Sequence, residues 1–497
     1  MAKGSAETQL SVDAASRAPA VMWFRQDLRL ADNPALEAAV ASGRPLICVY
    51  IWDDTAAGGW PLGGAVRWWL HNSLASLKAD LERRGGRLIL LRGEQTTVLE
   101  QLIAESGADL VVWNRRYEPA GQTSDAATKA RLKALGVAAQ SYNASLLFEP
   151  WELKTGTGGG FKVYSAFARA ARARGLAGGS LAAPARIEGL AFSVKGLELV
   201  QLGLLPQRPD WAAGLRATWS PGEDGAQLRL ERFLANGLAG YSETRNRLDL
   251  DATSKLSPHL QWGEISPNRV WRTVEAAVAA NPDLAEDGRV FCSELLWREF
   301  SHHLLHHAPN MPEHNWKPAF DGFPWGDAGD PLLEAWRRGQ TGYPLVDAAM
   351  RELWVTGFMH NRARMIAASF LIKHLLGHWR VGEDWFWDTL VDASLATNAA
   401  SWQWVAGSGA DASPFFRIFN PVTQGQKFDP TGAYVRRWLP QLAGLPDQFI
   451  HHPWVAPAEI LSRANVLLGE TYPKPVVDHG AARARALAAF QSLKEAP

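Results

Sequence analysis

Residues 20–52, AVMWFRQDLRLADNPALEAAVASGRPLICVYIW, contain two apolar runs on either side of an amphipathic stretch. The runs Ala20–Phe24 and Pro45–Trp52 have the length and continuous hydrophobicity of strands that are buried on both faces of a parallel sheet. This stretch therefore opens a series in which strands alternate with helices.

Two more apolar runs, Arg87–Leu91 and Asp109–Trp113, continue the series, and the helical pattern of Val66–Arg83 precedes them. Such alternation predicts an α/β domain with a doubly wound parallel sheet over residues 20–145. No G-x-G-x-x-G follows the first run, so the usual dinucleotide-binding fingerprint is absent.

The rest of the chain has a different pattern. Residues 146–225 are rich in Gly, Pro and Ala with weak periodicity, which predicts a long interdomain connector. Helical periodicity dominates residues 226–497, so we expect an all-α second domain there. Residues 1–19 are small and polar, and we expect a disordered leader. The helical patterns of the second domain are Leu228–Ala239, Pro267–Ala280, Val290–His307, Pro344–Thr356, Asn361–Leu376 and Trp385–Leu390.

Composition restricts the class of protein. The formal net charge is zero, so a nucleic-acid partner would be bound by a local basic patch and not by the field of the whole molecule. The two cysteines, Cys48 and Cys292, argue against a disulfide framework or a cysteine zinc site and favour a reducing cytoplasm. The chain has no run of about 18 apolar residues, so we expect neither secretion nor a membrane span.

A second informative stretch is residues 392–428, where two tryptophans, an asparagine, an acid and an arginine lie close together. The chain has 23 Trp and 8 Tyr, and each indole has an N–H that needs a hydrogen-bond partner. The mixture favours a site that holds a flat aromatic cofactor. The alternative is a large core with an aromatic surface.

The helical pattern around Glu294 places this carboxylate, Trp297 and Ser301 on one face. A carboxylate beside an indole suits hydrogen bonding to, and stacking on, a nucleobase. The alternative is a half-buried stripe with an ion pair between Glu294 and Arg298.

Asn361, Arg364 and Met365 form a second such face, in which Arg364 can pair with Asp392 and leave the other two facing a cavity. The segment 253–258, TSKLSP, combines hydroxyls with a helix start, where free backbone N–H groups can hold a phosphate. A simple helix cap is the alternative there.

Four histidines in residues 302–307, HHLLHH, give i,i+4 pairs like those of some metal sites. The segment lacks the glutamate of H-E-x-x-H and a third ligand, so we expect interfacial histidines and no metal site. The glycine cluster at residues 156–160 has no strand before it, and we expect a flexible loop.

Several motifs in order resemble the photolyase/cryptochrome flavoprotein family along nearly the whole chain. The matching segments are WFRQDLRL (23–30), WREF (297–300), TGYPLVDAAMR (341–351), MHNR (359–362), WQW (402–404) and FRIFNP (416–421). The resemblance implies an N-terminal α/β domain joined by a long connector to a helical FAD-binding domain. It also implies a carbon–carbon lyase of the deoxyribodipyrimidine photo-lyase type, in which excited reduced FAD donates an electron to a flipped-out cyclobutane pyrimidine dimer.

The resemblance also implies which residues surround FAD. Asn398 would lie near flavin N5, where an amide can hydrogen-bond both the oxidised and the reduced flavin. Ser394 stands where many relatives have a second aspartate, and Phe291 stands where some have Trp. The other implied cofactor contacts are Tyr241, Thr253, Ser254, Lys255, Leu256, Ser257, Arg298, Arg364 and Asp392.

For the DNA lesion, the resemblance implies two stacking indoles, with Glu294 acting at the pyrimidine edges. Asn361 and Met365 stand where relatives that repair (6-4) photoproducts have histidines, so cyclobutane dimers are the expected substrate. The implied substrate-binding residues are Arg245, Glu294, Trp297, Asn361, Arg362, Met365 and Trp404.

A relay of tryptophans that reduces FAD in light is implied at Trp402, Trp379 and Trp325, with Trp402 nearest the flavin. Trp316 competes with Trp325 for the outermost position. An antenna chromophore is expected in the α/β domain, and the segment 68–71, WWLH, favours methenyltetrahydrofolate over deazaflavin.

The main alternative is a blue-light receptor of the cryptochrome type without repair activity. Asn398, where plant-type receptors generally have Asp, and the short sequence after residue 475 favour repair. An unrelated flavin dehydrogenase would need a nicotinamide site, for which the sequence has no fingerprint. We expect a monomer in the bacterial cytoplasm that binds UV-damaged DNA and no membrane.

Overall fold

Five parallel strands form one sheet in the N-terminal part of the protein, as seen in a computed structural model. Their order is β3-β2-β1-β4-β5, so the winding direction reverses between β1 and β4. The doubly wound α/β prediction is therefore confirmed. The strands are β1 (Ala20–Phe24), β2 (Leu46–Trp52), β3 (Leu88–Arg92), β4 (Leu110–Asn114) and β5 (Ala138–Tyr142).

The structure describes residues 18–56, 58–190, 195–327, 329–411 and 416–495, so most of the leader expected over residues 1–19 lies outside the described residues. Strand β5 is absent from the sequence prediction because its sequence, AAQSY, is not an apolar run and is only partly buried at the sheet edge. The helices of the α/β part are α1 (Pro34–Ala41), α2 (Gly64–Arg83), α3 (Gln95–Ser106) and α4 (Pro119–Ala134).

The expected connector, residues 146–225, contains two helices, α5 (Tyr164–Arg174) and α6 (Ala213–Thr218). Helix α5 buries Phe167 and Ala171 in the same hydrophobic cluster as residues of the helical part. The connector is therefore partly integrated into the core of the helical part.

The helical part follows the predicted pattern, and the bounds expected for Pro267–Ala280 and Pro344–Thr356 are confirmed. Its central elements pack around one helix, because α16 contacts both α11 and α15. The helices are α7 (Glu223–Asn236), α8 (Tyr241–Thr244), α9 (Ser257–Gln261), α10 (Pro267–Ala280), α11 (Ala285–His307), α12 (Pro331–Arg337), α13 (Pro344–Thr356), α14 (Asn361–Ser369), α15 (Trp379–Thr389), α16 (Leu395–Ala406), α17 (Pro421–Phe428), α18 (Ala433–Trp438), α19 (Asp447–Ile450), α20 (Ala458–Arg463) and α21 (His479–Glu495).

Four of the six predicted helices have other bounds. The helices expected over Leu228–Ala239 and Val290–His307 are found over Glu223–Asn236 and Ala285–His307. The other two differ more. The helix expected over Asn361–Leu376 is α-helical only to Ser369 and continues as a π-helix over Phe370–His374. Helix α15 begins at Trp379, before the expected start at Trp385, because His378 caps it by accepting a hydrogen bond from Arg380 N–H at 3.1 Å.

Arg29, from the WFRQDLRL motif, ties the α/β part to the helical part. Its guanidinium donates to the carbonyl oxygens of Gly263 and Ala144, each at 2.8 Å, and of Asp32 at 2.6 Å. The residue is 1% exposed. The motif therefore has a structural role, since one buried cation satisfies carbonyls from three separate segments.

Replacing Arg29 with Met should lower the free energy of unfolding by about 3 kcal/mol, because several buried carbonyls lose their donor. The urea midpoint followed by circular dichroism measures this loss. Arg131→Met on α4 removes an ion pair to Glu100 on α3 in which the arginine side chain is 58% exposed, and it should leave the midpoint unchanged. Equal losses in the two variants would contradict the role of Arg29.

Candidate functional site

A buried carboxylate, Asp392, joins three segments of the helical part. Arg364 Nη2 donates to its two oxygens at 2.8 and 3.1 Å, and Ser257 Oγ donates to Oδ2 at 2.5 Å. The Asp392 side chain is only 3% exposed. The expected pairing of Arg364 with Asp392 is confirmed, and Ser257 on α9 is brought to the same carboxylate.

Arg298 reaches the other end of α9. Its Nη1 donates to Ser145 O at 2.8 Å, and its Nη2 lies 3.4 Å from Leu260 O. The carboxylate nearest to it is Glu299, at 3.4 Å, and burial lowers the pKa of Arg298. The ion pair considered between Glu294 and Arg298 is therefore wrong. Arg298 is a half-buried cation that donates to two backbone carbonyls and lies beside the carboxylate of Glu299.

The segment before α9 does not cap the helix through its hydroxyls. The N-cap residue, Leu256, makes no side-chain capping bond, so the helix-cap alternative is wrong. Lys255 has a left-handed backbone (φ 52°), and its Nζ lies 2.7 Å from Asp251 Oδ1. Thr253 and Ser254 are half-buried beside it.

Four cations lie around His360, two from the helix that it caps and two from earlier in the chain. Burial, and then the positive charges of Arg362, Arg364, Lys255 and Arg245, lower the pKa of His360 to about 4. The histidine is therefore neutral near neutral pH. We call these four cations the basic patch; Lys255, Arg364 and Arg245 each pair with a carboxylate, that of Asp251, Asp392 and Glu294 respectively.

Glu294 forms an ion pair with one member of this patch, Arg245, whose Nη1 lies 2.7 Å from Glu294 Oε1. Burial raises the pKa of Glu294, and Arg245 opposes that effect. The Arg245 guanidinium also lies 5.9 Å from the ring centroid of Tyr241, which packs edge-on against Phe291 at 5.5 Å. Two expected cofactor contacts and two expected lesion contacts therefore meet here.

The two indoles expected at the lesion lie on different helices that pack together. Trp297 on α11 and Trp404 on α16 are both half-buried. On α14, Asn361 is exposed and Met365 is half-buried, while Arg362 donates to Asn246 Oδ1 at 2.7 Å. These side chains are therefore at least partly accessible to solvent.

Asn398 is held by a group that the sequence did not indicate. Its Nδ2 donates to the backbone oxygen of Glu383 at 3.0 Å, and since a carbonyl can only accept, this bond fixes the orientation of the amide. Among the described residues, Asn398 Oδ1 has no hydrogen-bond partner. Ser394 Oγ is buried and likewise has no partner within the described ranges.

The Glu383 carboxylate itself is fully buried, and both of its oxygens lack a partner among the described residues. Burial raises its pKa well above 4.5, with a smaller contribution from Asp384. Sequence patterns could not indicate this residue, because a glutamate in the pattern GED of α15 is typical of a solvated helix face.

The inner two tryptophans of the expected relay lie in the core. Trp402 is 2% exposed and packs edge-on against Phe386 at 5.0 Å and Trp336 at 6.3 Å. Its ring lies so close to Gly382 that a Cβ there would be 2.1 Å away. Helix α15, which begins with Trp379, can therefore pack tightly on α16.

At the outer end, Trp325 reaches Trp379 through His378. The ring centroids of Trp325 and His378 are 4.7 Å apart, and those of His378 and Trp379 are 5.7 Å apart. The competing residue, Trp316, instead donates its backbone N–H to Gln403 Oε1 at 2.8 Å. The ring contacts therefore favour Trp325 as the outermost member.

A cavity of about 280 Å³ lies between the carboxyl ends of the sheet strands and the helical part. It borders Ala393 and Leu395, which flank Ser394. Trp68 and Trp69 are core residues, 2% and 0% exposed, and do not line it. The aromatic and charged lining residues are Arg25, Tyr50, Trp52, Asp53, Asp54, Trp60, Arg67, Arg116, Glu118, Trp262, Glu313 and Trp387.

The histidine segment lies at an interface. His303 is buried, with Nδ1 2.9 Å from Pro150 O, and its Nε2 accepts from Phe161 N–H at 2.8 Å, so it joins α11 to the connector. In the part of the chain that the structure describes, no three His, Cys, Asp or Glu side chains are placed to hold a metal ion. None of the described helices is long and apolar enough to cross a membrane.

Comparison with known proteins agrees with this geometry. Residues 20–186 match the family model of DNA photolyase, and residues 291–492 match that of the FAD binding domain of DNA photolyase. A deoxyribodipyrimidine photo-lyase of Agrobacterium fabrum is 51% identical over 481 residues, which cover 96% of this chain and 98% of that protein. Cryptochrome-2 of Arabidopsis thaliana is 38% identical over 96% of this chain and 79% of its own length.

Among solved structures, that of a bacterial class III photolyase from Agrobacterium tumefaciens superposes with a TM-score of 0.92. It is 50% identical, and the match covers 97% of this chain and 98% of the other. The chain belongs to the photolyase/cryptochrome family. The expected family and fold class, including the helical FAD-binding domain, are confirmed.

Glu383→Gln should stabilise the FAD-loaded protein increasingly as the pH rises. The folded state holds the pKa of Glu383 well above 4.5, so above that pH the unfolded chain releases a proton that the folded chain keeps. Wild-type stability therefore falls with rising pH, whereas the isosteric amide has no such loss. The difference in urea midpoint between variant and wild type should grow from about pH 5 to about pH 8.

The matched control is Glu286→Gln on α11, whose carboxylate is 61% exposed and pairs with Arg289. The difference in urea midpoint between Glu286→Gln and the wild type should not grow as the pH rises, because Arg289 lowers the pKa of Glu286. A Glu383→Gln difference that is independent of pH would show that Glu383 is ionised in the folded protein.

Proposed function

We propose that the protein is a light-dependent DNA-repair enzyme, a deoxyribodipyrimidine photo-lyase that uses FAD to split cyclobutane pyrimidine dimers. The observation that carries the proposal is that residues 392–404 contain two kinds of side chain, buried polar groups and a half-buried indole. Asp392, Ser394 and Asn398 are buried polar residues suited to a flavin, and Trp404, on the same helix as Asn398, is a half-buried indole suited to a base.

The unpartnered buried groups fit a polar, flat cofactor. Ser394 Oγ lacks a partner among the described residues, and Arg298 is a half-buried cation, so both can accept a ligand that supplies hydrogen bonds or negative charge. The proposed FAD-binding residues are Tyr241, Thr253, Ser254, Lys255, Leu256, Ser257, Phe291, Arg298, Arg364, Asp392, Ser394 and Asn398. When bound and reduced, FAD supplies on excitation by blue or near-UV light the electron that splits the dimer and then returns.

Asn398 suits the reduced form of the cofactor. Its Nδ2 is used by the carbonyl of Glu383, which leaves Oδ1 as an acceptor. An acceptor matches the N5–H of a reduced flavin, whereas the unprotonated N5 of an oxidised flavin needs a donor. Glu383 therefore acts through Asn398, by fixing the orientation of its amide.

The lesion is recognised outside the duplex. Trp297 and Trp404 stack on the two pyrimidines, a contact that contributes about 1–3 kcal/mol per base in single-strand binders. Glu294, with its raised pKa, can offer either an acceptor or a proton to the base edges. Asn361 adds hydrogen bonds and Met365 packs against the dimer. Neither can act as the proton donor that histidine would be.

The basic patch around His360 binds phosphates and shapes the pocket. Arg362, held by Asn246, binds the DNA backbone. Arg245 also binds a phosphate, and its ion pair holds Glu294 in place. Because the chain is neutral overall, binding to DNA depends on this cluster and weakens with salt.

Trp402, Trp379 and Trp325 pass electrons inward to keep the cofactor reduced. The ring contacts through His378 support this order, as does the close packing of α15 on α16 at Gly382.

The cavity at the sheet holds an antenna chromophore, for which methenyltetrahydrofolate is favoured over deazaflavin. Glu118 and Asp53 line the cavity, and carboxylates match the adjacent N–H donors of a pterin ring. The same carboxylates would repel an anionic hydroxydeazaflavin. Arg67 and Arg116 suit the glutamate tail of a folate.

We place the enzyme in the cytoplasm as a monomer. Cys48 and Cys292 are free, buried thiols, and burial raises the pKa of each to about 12, so both remain protonated and inert. Unpaired cysteines of this kind fit a reducing compartment.

The test is to illuminate the reduced, FAD-loaded protein with an oligothymidylate that contains cyclobutane dimers. The ultraviolet absorbance of the pyrimidines should recover in blue light and stay low in darkness, because splitting restores their double bonds. An oligonucleotide with (6-4) photoproducts serves as the control and should show no recovery. Full FAD occupancy without recovery from the dimer would identify a receptor of the cryptochrome type and overturn the proposal.

A further inference from the structure

We propose that Tyr164, in the interdomain connector, is a positioning residue of the lesion site. It holds Trp297 in the orientation in which this indole receives a pyrimidine. The inference rests on the proposed function and adds to it a residue from outside the FAD-binding part of the chain.

The contact between the two rings is a close parallel stack. Their centroids are 3.6 Å apart and their planes differ by 5°. A ring in such a stack has one face covered, so only the opposite face of Trp297 can receive a base. Phe300 packs edge-on against both rings at 6.0 Å and restricts them from the side. The indole is therefore clamped on one face and one edge and presents the other face.

Tyr164 can act as a support because it is itself fixed at both ends. Its hydroxyl donates to Ser293 O at 2.9 Å, one turn before Trp297 on α11. Burial raises the pKa of Tyr164 to about 12, so the hydroxyl keeps its proton and this bond persists at neutral pH. Its backbone N–H donates to Asp411 Oδ2 at 3.0 Å.

The bond to Asp411 links the two helices that carry the expected stacking indoles, α11 with Trp297 and α16 with Trp404. We call these helices the two walls of the lesion pocket. Asp411 lies in the segment after α16, the helix that carries Trp404, and this segment folds back because Gly409 N–H donates to Gln403 O at 3.0 Å. Tyr164 is thus stacked on Trp297 of α11, and its backbone is hydrogen-bonded to the segment that follows α16, the helix of Trp404. Its placement fixes the spacing of the walls before DNA binds.

A preorganised indole binds a base more tightly than a mobile one, because less side-chain freedom is lost on binding. We expect Tyr164→Leu, which removes the stack, to raise the Kd for a single-stranded oligonucleotide with one dimer about five- to tenfold. The Kd for the undamaged oligonucleotide should stay the same, so the preference for the lesion falls by that factor. FAD occupancy and the rate of flavin photoreduction should remain at the wild-type level.

Two further variants separate positioning from folding. Tyr164→Phe keeps the ring and should restore the lesion preference to within about twofold of wild type. Tyr142→Leu removes a tyrosine on β5 whose hydroxyl bonds only locally to Gln140, and it should have no effect on either Kd.

The outcomes are distinguishable from those of the proposed function. If the wild type neither prefers nor repairs the dimer, the proposed function fails. If the wild type repairs it and Tyr164→Leu keeps the full lesion preference, the positioning role is wrong. A Phe variant as weak as the Leu variant would also overturn it, because the hydroxyl and not the stack would then be responsible.

Discussion

The Asp392 carboxylate, clamped by Arg364 and Ser257, is the interaction on which the site depends. It is buried, so removing Arg364 would leave a charge without compensation, which costs about 3–5 kcal/mol in other proteins, whereas removing Ser257 would take away one hydrogen bond. The clamp fixes the start of α16 relative to α14 and α9. Everything that α16 carries, from Asn398 to Trp404, is positioned from this point.

Helix geometry then divides the tasks along α16. The side chains of two residues that are two positions apart on an α-helix point in directions that differ by about 200°. Trp402 and Trp404 therefore point to nearly opposite sides of α16. Trp402 is buried against Phe386 and Trp336, whereas Trp404 is half-buried. One helix can therefore serve both the proposed buried electron path and the proposed DNA-facing surface, while the cations around His360 are proposed to bind phosphates.

Local patterns in the sequence predicted the strands and the helix faces, because both follow from the periodicity of apolar and polar residues. The apolar runs predicted the first four strands, and the i,i+3 spacing predicted the helix faces that carry Glu294 and Asn361. Apart from the pairing of Arg364 with Asp392, contacts between distant segments could not be predicted in this way. Glu294 pairs with Arg245 and not with Arg298, Glu383 orients Asn398 through its backbone, and Tyr164 comes from a segment that resembles a linker. The family resemblance supplied the cofactor residues, because no composition or spacing rule distinguishes Ser394 from an ordinary helix cap.

The excited-state lifetime of the reduced flavin tests most directly the claim that Trp404 serves the lesion and Trp402 serves the cofactor. The account predicts that a dimer-containing oligonucleotide shortens this lifetime in the wild type and in Trp402→Phe, that an undamaged oligonucleotide does not, and that Trp404→Ala needs more of the damaged oligonucleotide for the same effect. Equal lifetimes with damaged and undamaged DNA, or loss of the shortening in Trp402→Phe, would contradict it.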